Sequence, residues 1–187
     1  MLKGKKIIIG ISGGIAAYKT PFLIRLFKKA GAEVRVVVTK NALEFVTKAT
    51  LETLSQNKVY CDVFSNDNDY TTEHVSLTDW GDLFIIAPAT ANIIGKFAHG
   101  IADDALSTSL LAFNKPVFFA PSMNDKMFSN FAVQQNIVFL KKNNIRIIEP
   151  AEGFLACGTE GKGRMEEPET IFFFGSELSE KKRTACG

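Results

Sequence analysis

The chain has 187 residues, 46% of them hydrophobic and 22% charged. That globular composition excludes a chain disordered throughout and a coiled coil, and the length suits one domain. With 22 Lys+Arg against 20 Asp+Glu the formal net charge is +2, so no one-sign field points to nucleic acid or a membrane surface.

In chain order, Lys6–Ile11 (KIIIGI) is short, β-branched and continuous, the pattern of a strand buried on both faces. A Ser-Gly-Gly turn follows. Residues 15–30 then carry Ile15, Tyr18, Phe22, Leu26 and Phe27 at helical spacing, with Pro21 near the start or at a kink and Gly31 placed to stop the helix. Residues 33–39 (EVRVVVT) read as the second strand, 41–46 and 51–56 as short helices, and 65–72 as a polar loop. Residues 82–87 (DLFIIA) read as the third strand, followed by helices over 92–98 and 103–113. Residues 116–120 (PVFFA) read as the fourth strand, 131–142 as a helix and 145–148 as the fifth strand. Strands alternating with helices predict an α/β fold: a doubly wound, flavodoxin/Rossmann-like parallel sheet with helices on both faces. The domain is expected over 1–174. Residues 175–187 (GSELSEKKRTACG) read as a loose polar tail or the cut end of a longer chain.

No internal repeat or targeting segment is visible. The first apolar run is broken by Gly10 and Ser12, and no run approaches the ~18 residues of a spanning helix. Cys61, Cys157 and Cys186 are an odd, widely spaced set that makes neither a disulfide framework nor a CxxC metal site. His74 and His99, without cysteines nearby, give no metal signature. A cytoplasmic protein without a metal is the expectation.

In a parallel sheet ligands bind beyond the carboxyl ends of the strands, so the loops starting at Ser12, Thr39, Pro88 and Pro121 carry the candidates. The loop Gly10-Ile-Ser-Gly-Gly-Ile15 opens a helix and offers backbone N–H groups to an anion, or is simply a tight turn. It is neither GxGxxG nor a P-loop. In Ala87-Pro-Ala-Thr-Ala-Asn92, Thr90 or Asn92 is a candidate helix cap, and the small residues admit a phosphate or planar ligand. In the segment 120–128, Met123, Met127 and Phe128 suit a core. Asn124, directly after a strand, offers an amide that both donates and accepts. The segment 153–165 (GFLACGTEGKGRM) has glycines at 153, 158, 161 and 163, a loop long enough to act as a lid. Cys157 lies on it near Lys162 and Arg164, which favours an accessible, activated thiol. Cys61 and Cys186 read as inert, and His99 as a cap or surface residue. His74, at the end of the polar loop, is a candidate general base.

Taken together, ISGGIAAYK (11–19), VVVTKNA (36–42), HVSLTDWGD (74–82), APATANIIGK (87–96), PSMNDKMF (121–128) and ACGTEGKGRM (156–165) resemble the flavin-dependent cysteine decarboxylases. The likeness is strongest to those of coenzyme A biosynthesis and covers roughly 5–171. In bacteria such a domain is usually the N-terminal half of a decarboxylase–ligase. The resemblance implies FMN as cofactor. Ser12, Gly13, Gly14, Ile15, Thr39, Asn41, Thr90, Ala91, Asn92, Ile93 and Ser122 would form its site. It implies a carboxy-lyase acting on 4'-phosphopantothenoylcysteine to give 4'-phosphopantetheine. Asn124 would hold the substrate carboxylate with Met127 in support, and Phe154, Leu155, Ala156 and Cys157 would belong to a flap over the substrate. Oxidation of the thiol to a thioaldehyde places an electron sink beside the carboxylate, CO2 leaves to give an enethiolate, and re-reduction completes a net non-redox reaction. His74 would be the base at the thiol stage and Cys157 the final proton donor. The resemblance also implies a homo-oligomer, trimer or dodecamer, and the sixteen Phe agree with an apolar patch that needs covering. FMN prenyltransferases share the fold but lack the Asn124 motif and the Cys157 flap. Peptidyl-cysteine decarboxylases differ mainly around the flap, and non-catalytic flavoproteins often lose the catalytic groups.

Overall fold

The computed structural model describes residues 2–62, 73–154, 158 and 160–181, without the side chains of 73–75 and 178–181. Its elements in order are β1 (Lys6–Ile11), a 3-10 turn (Ile15–Lys19), α1 (Thr20–Lys29), β2 (Glu33–Val38), a second 3-10 turn (Lys40–Glu44), α2 (Lys48–Ser55) and β3 (Val59–Tyr60). Then come α3 (Glu73–Trp80), β4 (Leu83–Ala89), α4 (Ala91–Ala98), α5 (Ala105–Ala112), β5 (Val117–Pro121), α6 (Asp125–Ser129), α7 (Phe131–Lys142), β6 (Arg146–Ile147), β7 (Ala151–Phe154), β8 (Glu160–Arg164) and α8 (Pro168–Lys181).

Six strands form one parallel sheet in the order β3-β2-β1-β4-β5-β6. The apolar runs are continuous because alternate side chains feed two different cores. Ile7, Ile9, Ile11, Val36, Val38, Ile85 and Phe118 pack with Leu23, Ile24 and Phe27 of α1, Leu51 of α2 and Ile171 of α8. Ile8, Val37, Phe84, Ile86 and Phe119 face the other way, onto Leu77, Ile93, Ile94, Leu106, Leu110, Ile137 and Leu140. The sheet is therefore doubly wound, as its β/α alternation predicts. The strand order reverses between β1 and β4, so their carboxyl ends diverge into a crevice where ligands of such sheets bind.

Several expectations need correction. The predicted helix 15–30 divides: Pro21 sits in the first turn of α1, and the residues before it form the 3-10 turn. Gly31 stops α1 in the left-handed region, at φ 86°. The strand β3 is missing from the five expected, since two residues at a sheet edge leave no period to read. The Gly-rich lid segment supplies an antiparallel hairpin, β7 against β8. The helix α8 runs on to Lys181, so the loose tail does not begin at 175. There Gly175 is buried, and a Cβ on it would lie 2.9 Å from the Phe27 ring, while Phe27 and Phe172 meet edge to face at 5.0 Å. The missing side chain at 175, read as polar tail, lets α8 lie close on α1. The polar loop 65–72 and residues 182–187, with Cys186, fall outside the described residues. Among the described residues no helix is long and apolar enough to cross a membrane, and no group of three His, Cys, Asp or Glu could hold a metal ion.

Candidate active site

One cavity of about 1380 Å³ opens at the carboxyl ends of β1, β2, β4 and β5. Most of the residues singled out in the sequence line it: Ser12, Gly13, Gly14 and Ile15 after β1, Thr39 and Asn41 after β2, Thr90, Ala91 and Asn92 after β4, and Ser122, Asn124 and Met127 after β5, with Phe154 of β7. Ile93 does not. Its side chain is 1% exposed in the core beneath α4, because the helical period turns it inward from Ala91 and Asn92. Leu155, Ala156 and Cys157 lie outside the described residues. His74 is in the first turn of α3, not at the end of a loop, and its side chain is likewise outside the description.

The loops on either side of the switch point are fastened together. Ser12 is buried; its hydroxyl donates to the Pro88 carbonyl at 2.8 Å and accepts the Thr90 N–H at 3.0 Å. Its one proton is thus spent within the fold, and Ser12 shapes the site as a strut. A Cβ at Gly13 would meet the Asn41 Cβ at 2.5 Å, and one at Gly14 the Thr90 methyl at 3.3 Å. These glycines are needed for loop-to-loop contact, whatever else they do. Thr90 is the extended residue before α4, yet its side chain makes no capping hydrogen bond. The first N–H groups of α4 thus open onto the cavity without a side-chain cap, a site suited to an anion. The Thr39 hydroxyl oxygen is buried on the cavity wall and has no hydrogen-bond partner.

Asn124 caps α6, its Oδ1 accepting the Lys126 N–H at 2.9 Å, which fixes the amide on the cavity wall. The hairpin reaches the same place. The Met123 N–H donates to the Gly163 carbonyl at 2.9 Å, and Lys19 Nζ donates to the Met165 carbonyl and to Glu167. Lys19 is 8% exposed. Arg164 shares Glu167, and the hydrogen bonds from Lys19 and Arg164 hold the Glu167 carboxyl below its ordinary value.

Sequence reading missed most of the charged residues of the cavity wall: Lys19, Lys40, Asp62, Lys96, Asp103 and Asp104, while Arg164, noted there only for its nearness to Cys157, lines it too. Each of these cations has a carboxylate partner: Lys19 and Arg164 hold Glu167, Lys40 holds Asp62 at 3.2 Å, and Lys96 holds Asp103 and Asp104 at 2.5 and 2.7 Å. One signal was available, the Asp104-x-x-Ser107 spacing of a capping box, which the structure realises at the start of α5. Cys61, read as inert, also lines the cavity. Burial, then the hydrogen bond to Asp62, raises its thiol above the ordinary value and keeps it protonated. His99 is exposed at the C-terminus of α4, as expected.

Burial alone would raise the Asp104 carboxyl, but Lys96 and the Ser107 N–H overrule it and hold it below 3.8. That contribution to stability is present above the ordinary carboxylate value and is lost as pH falls through the lowered one. Asp104→Asn keeps the cap acceptor and removes the charge. Its deficit in denaturant midpoint should be full near pH 7 and should shrink as pH falls through the lowered carboxyl value. A deficit that ignores pH would remove the ion pair from the account.

Residues 1–177 match the model of the Flavoprotein family, and the chain belongs to that family. It is 48% identical over 171 residues to the coenzyme A biosynthesis bifunctional protein CoaBC of Bacillus subtilis, covering 91% of this chain and 42% of that protein. The CoaBC protein of Haemophilus influenzae is 48% identical over 186 residues, 100% of this chain and 46% of its own length. The chain thus spans under half the length of these curated relatives. Among solved structures, a PPC decarboxylase mutant complexed with pantothenoylaminoethenethiol superposes with a TM-score of 0.85 at 33% identity, over 93% of this chain and 97% of that one. The FMN binding protein AtHal3 gives 0.82 at 33%, over 94% and 97%.

Proposed function

We propose that this chain is an FMN-dependent carboxy-lyase that converts 4'-phosphopantothenoylcysteine to 4'-phosphopantetheine. The observation that carries the reading is the convergence, in one cavity, of an uncapped helix start, an orphaned buried hydroxyl and a fixed amide: α4, Thr39 and Asn124. These fit a phosphorylated flavin beside a carboxylate substrate, and the names of the relatives point the same way. When bound, FMN supplies a reversible two-electron acceptor for the carbon bearing the thiol.

The protein's part is placement and proton handling. Because the cations of the wall are each held by a carboxylate, the flavin phosphate would be met by the backbone N–H groups at Ala91 and Asn92, and Thr39 would donate to the cofactor. Asn124, its rotamer held by Lys126, receives the carboxylate and turns it out of the plane of the adjacent thiol-bearing carbon. Release of CO2 then leaves electron density where the oxidised sulfur carbon can accept it. His74 takes the thiol proton and Cys157 returns one at the end. Both roles rest on the family pattern. The exposed apolar row Ile15, Tyr18 and Phe22 supports assembly of a homo-oligomer; that it is a trimer or dodecamer, and cytoplasmic, rests on the family pattern alone.

Incubation of the purified, FMN-loaded protein with 4'-phosphopantothenoylcysteine, followed by mass spectrometry, tests the reading. A product lighter by one CO2 is expected, and an unchanged substrate would sink it. His74→Asn should retain the flavin spectrum and lose roughly 10²–10⁴-fold in turnover. Thr39→Val should weaken FMN by about tenfold in a fluorescence titration, with no loss of melting temperature, because its hydroxyl bonds nothing in the fold.

A further inference from the structure

We propose that Gly163 is a positioning residue for this reaction: by leaving room for the Met123 carbonyl, it seats the Met123–Asn124 turn at the depth the substrate carboxylate requires. The inference rests on the reading of Asn124 given above. The contact is backbone on backbone. A Cβ at Gly163 would lie 2.2 Å from the Met123 carbonyl oxygen, 3.3 Å from its carbon and 3.4 Å from the Asn124 carbonyl carbon. No side chain is present there to swing aside. The same strand accepts the Met123 N–H through the Gly163 carbonyl at 2.9 Å, so both backbone groups of Met123 are met by Gly163.

Two further contacts make β8 a fixed rail. A Cβ at Gly161 would meet Asp125 at 2.7 Å, one residue beyond Asn124. On the far side, Lys19 Nζ, at the end of the turn that follows the Gly13–Gly14 loop, holds the Met165 carbonyl. The hairpin leg is thereby registered against both the cofactor side of the cavity and the Asn124 side. The alternation Gly-Lys-Gly in β8 follows from this. Gly161 and Gly163 face the turn at close range, while Lys162 between them reaches Glu149, 3.1 Å from its ammonium, and the Phe128 ring. A displacement of Asn124 by about 1 Å is the scale on which a bound group leaves productive geometry.

The test compares three variants of the FMN-loaded protein. Gly163→Ala is expected to keep FMN affinity within about twofold and to lower kcat/KM by roughly 10²-fold, mainly through KM for the cysteine substrate. Gly161→Ala, whose Cβ would stand 2.7 Å from the Asp125 Cβ and not 2.2 Å from a carbonyl oxygen, should cost less. Gly175→Ala disturbs the α1–α8 packing away from the cavity, so it should lower the melting temperature and leave KM unchanged. In ¹⁵N-labelled protein, Gly163→Ala should also shift the Met123 amide and Asn124 side-chain resonances, where Gly175→Ala does not. Wild-type KM in Gly163→Ala, or unmoved Met123 and Asn124 resonances, would overturn the proposal. A wild-type protein that fails to decarboxylate would overturn the functional reading instead, and the resonances would still decide whether Gly163 sets the turn.

Discussion

Asn124→Asp is expected to abolish decarboxylation while leaving the fold and the flavin in place. The substitution is nearly isosteric, and aspartate is as good a helix cap as asparagine, so the Lys126 N–H keeps its acceptor and α6 its start. What changes is the face toward the substrate. An amide that can donate becomes a carboxylate that can only accept, set against another carboxylate. Loss of the donor that places the carboxylate misaligns the bond to be broken, and the like-charge contact adds to it, so turnover should fall by roughly 10³-fold or more. Steady-state kinetics beside a thermal melt and a flavin absorption spectrum would separate these effects. An unchanged rate would place the carboxylate elsewhere in the cavity. A parallel loss of melting temperature would make Asn124 a cap and nothing more.

The sheet was legible in the sequence because burial on both faces leaves unbroken runs such as KIIIGI and LFIIA, which few other structures produce. Their loops carried the site for the same reason: the strand ends are where Gly, Thr, Asn and Ser interrupt apolar sequence. Charge networks were not legible. Lys19 and Glu167 are separated by 148 positions, and only the return of the hairpin to the 3-10 turn brings them to 2.9 Å. Ile93 shows a different limit of linear reading. It belongs to a motif that reads as cofactor-binding, yet at its helical phase the side chain fills the core and only its backbone stands at the helix start. Gly175 was misread because a glycine that lets two helices approach looks, in one dimension, like a glycine that ends one.

The cofactor loop allows a second strong test. Gly13→Ala should lower FMN affinity by about 10- to 100-fold with a far smaller effect on global stability. The added methyl would lie 2.5 Å from the Asn41 Cβ and 3.0 Å from its carbonyl carbon, and the neighbour's backbone cannot rotate away. The loop cannot yield freely either. Ser12 is tied to Pro88 and Thr90, and the Ala17 N–H is bonded to the Gly14 carbonyl, so the strain moves into residues that line the cavity. Overpacking of this kind costs roughly 1–3 kcal/mol. If it falls on the flavin-bound form, that is the affinity loss stated, at a factor of ten for each 1.4 kcal/mol. Gly14→Ala is the internal comparison. Its methyl meets only the Thr90 methyl at 3.3 Å, a contact that relaxes with a small shift, so its loss should be several-fold at most. Titration of each apoprotein with FMN, followed by flavin fluorescence, reads the ratio directly. Equal affinities for the two variants would mean that the Gly13–Asn41 contact does not govern the site.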